Sequence, residues 1–313
     1  MVPPEVALSI LVLLVALVVD RLFGDPHTVY HPVALLGRFI GWWGRPYLFP
    51  PAAQRFAGVV FWSLTSAIFT LPFCLFSRMA SWYLFLLLGP FLLKSCFAWR
   101  SLEEHTLGVV AALDDSVENG RERVKLLVSR DTAQLDRHHI LSAGYESMTE
   151  NLTDSILSPL LFFSVFGLAG AAVYRAANTM DAMLGYRDER ERIGWCAARM
   201  DDLFNFIPAR ITAVLLLVYF ALCGRFSQAV RVMLRDGRKR PGFNGGIVMG
   251  AMAGGIGIRF EKPGVYTIGD DERSLDEAGP EIIRAARAVT LMGVVIAMGT
   301  LFLLGALINS TCI

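Results

Sequence analysis

Charge is scarce in this sequence. Asp, Glu, Lys and Arg make up 18% of its 313 residues and hydrophobic residues 54%, whereas a soluble domain is about a quarter charged. The two signs nearly cancel, with 29 Lys and Arg against 28 Asp and Glu and a net charge of +1. That balance offers no basic face for nucleic acid, so no nucleic-acid partner is expected. Cys74, Cys96, Cys196, Cys223 and Cys312 are scattered with no CxxC spacing. Three of them lie in apolar runs, where a thiol behaves as a small hydrophobe, which argues against a disulfide or zinc framework. There is no GxxxxGK[ST] loop, no internal repeat and no low-complexity tract. The first apolar run has no basic flank before it and no small-residue cleavage site, so it reads as a retained span.

What the chain does have is length in its apolar runs. A helix needs roughly 20 apolar residues to cross the hydrocarbon core. Residues 5–23, 56–76, 81–99 and 287–308 meet that requirement. Two weaker stretches, 156–174 and 207–224, contain Ser158-Pro159 with several glycines and Arg210, respectively. The expectation is an all-α polytopic membrane protein with about four firm transmembrane helices and two weaker, re-entrant candidates. It would form a single integral membrane domain over 1–313, with polar site-forming segments at 20–55, 100–155, 175–210 and 225–286.

Lys and Arg are retained in short cytoplasmic loops. Segment 24–55 carries three, 100–155 six and 225–286 ten, while nothing basic precedes the first span and the tail NSTCI has none. These counts place both termini outside and the polar segments in the cytoplasm of a prokaryotic cell. Either both weak stretches cross or neither does. The segment between them, NTMDAMLGYRDERERIGWCAARMDDLFNFIPAR at 178–210, is dense in charge and would break the rule if it lay outside. Re-entrance would keep it inside against an enclosed site, since polar backbone at membrane depth needs protein or water around it.

Four polar constellations stand out. DRLFGDPHTVYHP at 20–32 sets Asp25 and two imidazoles after the first span, and by itself reads as an interfacial span end. In VSRDTAQLDRHHILSAGYESMTENLTDS, Asp131 looks like a cap. Glu146, Glu150 and Asp154 follow at i, i+4 and i+8, with Asn151 near their stripe. Three carboxylates in register repel unless a cation or an arginine stands between them, and oxygen-rich sets of this kind suit Mg²⁺ beside phosphates. His138 and His139 point to different faces and make a poor metal pair. In the third, Asn178, Asp181 and Gly185 share a helical face, and Arg199, Asp202 and Asn205 repeat the spacing with Asp201 alongside. Ionisable groups beside membrane segments favour function, and arginines there suit phosphates and carboxylates. The bland alternative is an intrahelical ion-pair network such as Arg187 with Glu191. Last, DGRKRPGFNGGIVMGAMAGGIG at 236–257 fits a phosphate-cradling turn or close helix packing equally well.

In order and spacing, GDPHTVYHPVALLGRFI, VSRDT, ESMTENLTDSILSPL, YRAANTMDAMLGYRDER, ARMDDLFNFIPAR and DGRKRPGFNGG followed by AMAGGIGIRF resemble the CbiB/CobD family, the adenosylcobinamide-phosphate synthases. The likeness runs from Asp20 to about residue 260. It departs at GFNGG, where the family usually has a Ser-Pro-Asn run, and at VYTIGD. The resemblance implies an ATP- and Mg²⁺-dependent ligase joining a carboxylate of a corrinoid, adenosylcobyric acid, to the amine of an aminoalcohol phosphate in the bilayer. It implies one shared site. Glu150, Asn151, Asp154 and Asp181 would face Mg²⁺ or nucleotide phosphates, and Arg175, Arg187 and Arg190 would hold anions. Asp201 or Asp202 would take the amine proton or a second metal. Asn178 and Asn205 would support them, with Asp25, Arg130 and Asn244 at the rim. AmpE-like signalling proteins and anion transporters are the alternatives. A transporter predicts matched halves with broken helices, and no matching halves are visible.

Overall fold

A computed structural model of the chain describes residues 4–25 and 28–311, with side chains through Leu307. His27, one of the two imidazoles noted above, and Cys312 lie outside the described residues. The chain is overwhelmingly helical and divides into two compact units, each assembled from separated segments.

The first unit comprises Met1–Ala98, Ser158–Phe204 and Val294–Ile313. It holds α1 (Pro4–Phe23), α2 (Pro32–Trp43), α3 (Gln54–Met79) and α4 (Trp82–Lys94). The second unit comprises Trp99–Leu157 and Asn205–Gly293. It begins with α5 (Trp99–Asp115), α6 (Val117–Val124) and α7 (Arg137–Asn151), capped by Asp136 accepting from His139 N. A π-turn, Leu152–Leu157, follows α7. Pro159 just beyond it has no N–H for the carbonyl four residues back, a recognised cause of local widening. The chain then returns to the first unit with α8 (Ser158–Leu184) and α9 (Trp195–Phe204), and to the second with α10 (Phe206–Leu222), α11 (Phe226–Asp236) and α12 (Gly245–Ile256). A β-hairpin pairs β1 (Arg259–Lys262) antiparallel with β2 (Tyr266–Gly269), and α13 (Leu275–Thr311) closes the chain.

Among the described residues five helical runs are long and apolar enough to cross a membrane: Pro4–Phe23, Gln54–Met79, Trp82–Asp115, Arg137–Leu184 and Leu275–Leu307. The bent pair Trp195–Phe204 and Phe206–Leu222 makes a sixth when taken as one span. The four firm spans are therefore present, and of the two weaker stretches 156–174 qualifies by length and composition whereas 207–224 does so only together with α9.

The first weak stretch is a broken helix, whereas the second is continuous and bends 44° against the preceding α9. Within α8 the break falls at Gly167, with φ 65° and ψ −159°. This backbone region is essentially closed to residues with a Cβ, although no atom lies within 4 Å of where a Cβ would stand. Gly167→Ala should thus destabilise the protein by about 1–3 kcal/mol through backbone strain alone. A thermal unfolding midpoint in detergent equal to that of the native protein would show that the break is not required.

In the first unit α2, α8 and α9 meet over Leu36, Ile40, Trp43, Ala176, Met180, Leu184, Ile193 and Ala197. The Trp43 ring stacks on Phe61 of α3 at 5.5 Å. This core fixes the face of α8 that carries Arg175 and Asn178 away from it. In the second unit α12 is buried along its whole length. Its glycines lie where a Cβ would strike α11 at Met233 and Val232, and the Phe220 ring of α10. The run MGAMAGGIG therefore serves close helix packing.

The hairpin is tied down by a buried carboxylate. Asp236 ends α11 with no exposed surface and accepts from Gly269 N at 2.8 Å. It also pairs with Arg235 and Lys239, both at 2.7 Å. Burial pushes its pKa up, but the hydrogen bonds from Arg235, Lys239 and Gly269 outweigh that and hold it at about 2, against an ordinary 3.8. A depressed carboxylate contributes stability that is full above its unfolded pKa and lost as pH falls through the folded one. Amide exchange at Gly269 should stay protected down to roughly pH 4 and open toward about pH 2; opening already near neutral pH would contradict this tether.

Candidate functional site

The first unit contains a buried charge triad. Asp20, at the end of α1, has no exposed side-chain surface, and Lys94, at the end of α4, has 6%. Lys94 Nζ lies 3.0 Å from Asp20 Oδ1 and 2.5 Å from Asp25 Oδ1, and it donates to Phe97 O at 3.3 Å. Lys94 thus donates two hydrogen bonds, to Asp25 and Phe97 O, and its charge is matched by two carboxylates.

Beside the triad opens a cleft of about 390 Å³, lined by Asp25, Thr28, His31, Ser95, Phe97 and Arg175 among others. His31 caps α2, and its Nδ1 accepts from Val33 N at 3.3 Å. Burial lowers its pKa, which Asp25 partly offsets while Lys94 and Arg175 reinforce it. The ring is accordingly neutral at pH 7, with its proton on Nε2. Arg175 pairs with no carboxylate among the described residues, and its Nε is buried without a hydrogen-bond partner. Buried guanidinium donors are nearly always paired, so a bare one beside a cleft marks a place for an anion.

Further along α8, Asn178 Nδ2 donates to Asp201 Oδ1 of α9 at 3.2 Å. Asp201 is buried, so it links two helices, whereas Asp181 and Asp202 remain half-buried. Asp202 lies 4.0 Å from Arg199, the spacing expected of i and i+3. The DERER run forms turns after α8 ends, so the intrahelical Arg187–Glu191 pair has no helix to support it. Arg187 is exposed there. Arg190 is held by Asp188, by Met183 O at 3.1 Å and by the Tyr186 ring at 4.2 Å.

The second unit carries its own polar cluster on α7. Glu146 accepts from Ser142 Oγ at 2.5 Å and Tyr266 OH at 2.6 Å, and lies 3.5 Å from Arg130 Nη2. Arg130 is mostly buried, and its Nη1 lacks a partner among the described residues. Burial and the Glu146 carboxylate raise the Tyr266 pKa, so the phenol remains a donor. One turn on, Glu150 pairs with Arg240 from the Gly-rich loop. The carboxylate stripe is thus separated by arginines. Asp154 sits in the π-turn, which shifts it off the Glu146–Glu150 register, yet its charge still acts on Arg240. Asn151 spends its amide locally, donating to Ser147 O and accepting from Ser155 Oγ. Asn244 Oδ1 accepts from Arg210 at 2.5 Å, and Asn205 is buried where α10 begins.

Among the described residues no three His, Cys, Asp or Glu side chains are grouped to hold a metal ion. Mg²⁺ that arrives on nucleotide phosphates needs only one or two protein carboxylates. Glu150 and Asp154, both within the field of Arg240, fit that looser requirement, and a closed protein cage does not fit.

Several contributors escaped the sequence reading. Lys94 was hidden inside an apolar run as the one charge in 81–99, and such isolation is itself the signal that would have exposed it. Tyr266 and Ser142 join Glu146 from positions without a local signature.

The profile of the family described as CobD/Cbib protein matches residues 13–292. This chain belongs to the CobD/Cbib family. The CobD/Cbib relatives include the "Probable cobalamin biosynthesis protein CobD" of Methanothermobacter thermautotrophicus, 40% identical, with the alignment covering 85% of this chain and 88% of that one. The "Cobalamin biosynthesis protein CobD" of Dehalococcoides mccartyi is 36% identical over the same shares. That of Pelobacter propionicus is 36% identical over 94% and 95%. No solved structure matches. Both the cleft and the α7 cluster fall within the residues that the CobD/Cbib profile matches.

Proposed function

We propose that this chain is the ATP-dependent amide ligase of cobalamin biosynthesis that joins the free propionate carboxylate of adenosylcobyric acid to (R)-1-amino-2-propanol O-phosphate, yielding adenosylcobinamide phosphate. Family membership supports the pathway, and the names of the relatives agree with it. The observation that carries the chemistry is a buried guanidinium nitrogen without a hydrogen-bond partner in each unit, Nε of Arg175 in one and Nη1 of Arg130 in the other. Every group the reaction handles before amide formation is an anion: nucleotide phosphates, a propionate and a phosphate monoester.

A carboxylate and an ammonium do not condense unaided in water. In this reading the propionate oxygen attacks the γ-phosphorus of ATP, ADP leaves, and an acyl phosphate forms. The deprotonated amine then attacks the acyl carbon, the C–O bond breaks, and inorganic phosphate departs with that oxygen. Charge neutralisation and positioning are what a protein supplies to such transfers. Arg130 and Arg240 would neutralise phosphoryl oxygens, and Asp202 or Asp181 would accept the amine proton. Mg²⁺ bound to the nucleotide would add charge neutralisation, held by Glu150 and Asp154.

The distribution of Lys and Arg supports a multi-pass protein of the prokaryotic cell membrane, with both termini outside and the chemistry facing the cytoplasm. Asp188 is exposed at 44% and suits a label. An Asp188→Cys variant in sealed vesicles should react from the cytoplasmic face, and reaction only from outside would overturn this orientation. Purified protein in detergent with ATP, Mg²⁺, adenosylcobyric acid and the aminopropanol phosphate should release ADP and form the amide stoichiometrically. Absence of both products would overturn the ligase reading.

A further inference from the structure

We infer that the cleft of the first unit is the subsite for a small phosphate monoester bearing an amine, with Arg175, His31 and Thr28 binding the phosphate and Asp25 facing the amine. Hydrogen-bond donors on the lining select the ligand. His31 uses Nδ1 as an acceptor, which leaves the Nε2 proton to donate. Thr28 Oγ1 accepts from Tyr30 N at 3.2 Å, and its own proton is spent on no described residue. Arg175 Nε is buried and bare. Ser95, by contrast, spends its proton on Leu92 O at 2.7 Å. Arg175 Nε is thus a buried donor without an acceptor, the Thr28 hydroxyl and His31 Nε2 are further donors on the same lining, and a phosphate monoester has three terminal oxygens to receive them. A diester has only two.

The cation side is equally specific. Lys94 is buried and its charge is already matched by Asp20 and Asp25, so Arg175 is left as the phosphate's counter-charge. Asp25 shares one oxygen with Lys94 and lines the same cleft, the one carboxylate among its described lining residues for an ammonium. The cleft's volume of about 390 Å³ is at the small end for ligand sites. It suits a ligand of a few carbons and is far too small for a corrin ring. His31 is neutral at pH 7, so the net charge of the lining stays close to that of a zwitterion's complement.

This assignment rests on the ligase reading only for the choice of probe. Binding of (R)-1-amino-2-propanol O-phosphate to the full chain in detergent would be measured by calorimetry, without ATP or corrinoid. The comparators are its unphosphorylated alcohol and glycerophosphoethanolamine, a diester that mimics a lipid headgroup. The monoester should bind at least tenfold more tightly than either, because each lost charged hydrogen bond is worth about a factor of ten or more. Arg175→Gln should weaken monoester binding roughly tenfold to hundredfold, and Thr28→Val about tenfold. In turnover both variants should raise KM for the amine and leave KM for ATP unchanged. Equal binding of the diester would assign the cleft to lipid headgroups and overturn the proposal. Native-like monoester binding by both variants, with unfolding midpoints unchanged, would also overturn it. Monoester binding without any coupling would leave the subsite standing and remove the ligase reading instead.

Discussion

Replacing Lys94 with methionine should cost about 3–5 kcal/mol of stability, the usual effect of deleting one partner from a buried ion pair. Methionine keeps most of the stem's packing, so the loss reports the charge. Without Lys94, Asp20 has no exposed surface on which to be solvated and faces Asp25 through a common neighbour. The loss should appear as a lower unfolding midpoint in detergent at neutral pH. Adding Asp20→Asn to Lys94→Met should recover part of it, since the double variant removes the stranded charge; the cycle isolates the coupling. If Lys94→Met unfolds at the native midpoint, the triad is not what joins α1 to α4.

Alanine at Asp181 or Asp202 should leave the fold intact and reduce coupling by roughly 10²–10³-fold, the range seen when one group that meets developing charge is removed. Both are half-buried, while the neighbouring Asp201 is committed to Asn178 between α8 and α9. The prediction therefore separates adjacent aspartates. Asp201→Ala should lower the unfolding midpoint, whereas Asp202→Ala should lower turnover at an unchanged midpoint. Native turnover in both Asp181→Ala and Asp202→Ala would remove them from the chemistry.

The apolar spans were legible because length and composition alone decide whether a helix can cross a bilayer. The close packing of α12 was one of two readings the sequence left open, and the places where a Cβ would strike α10 and α11 decide it. The break at Gly167 was not legible, because several glycines in that stretch look alike and only backbone angles single one out. The carboxylate stripe was half legible: Glu146 and Glu150 share a face as spacing requires, but the π-turn carries Asp154 off it. Its partners were invisible, since Tyr266 reaches Glu146 across 120 positions and Arg240 reaches Glu150 across 90. Local periodicity cannot encode such pairings. Arg175 and Asp25 were identified as site residues through resemblance, and their common cleft follows from geometry.

The ligase account stands on transfer of an oxygen. Adenosylcobyric acid labelled with ¹⁸O in its free propionate carboxylate would be coupled in the presence of ATP, and the released inorganic phosphate examined by mass spectrometry. The account predicts one ¹⁸O atom in each phosphate formed with amide product. Unlabelled phosphate accompanying amide formation would contradict an acyl phosphate, and label appearing in AMP would place the activation on the α-phosphorus instead.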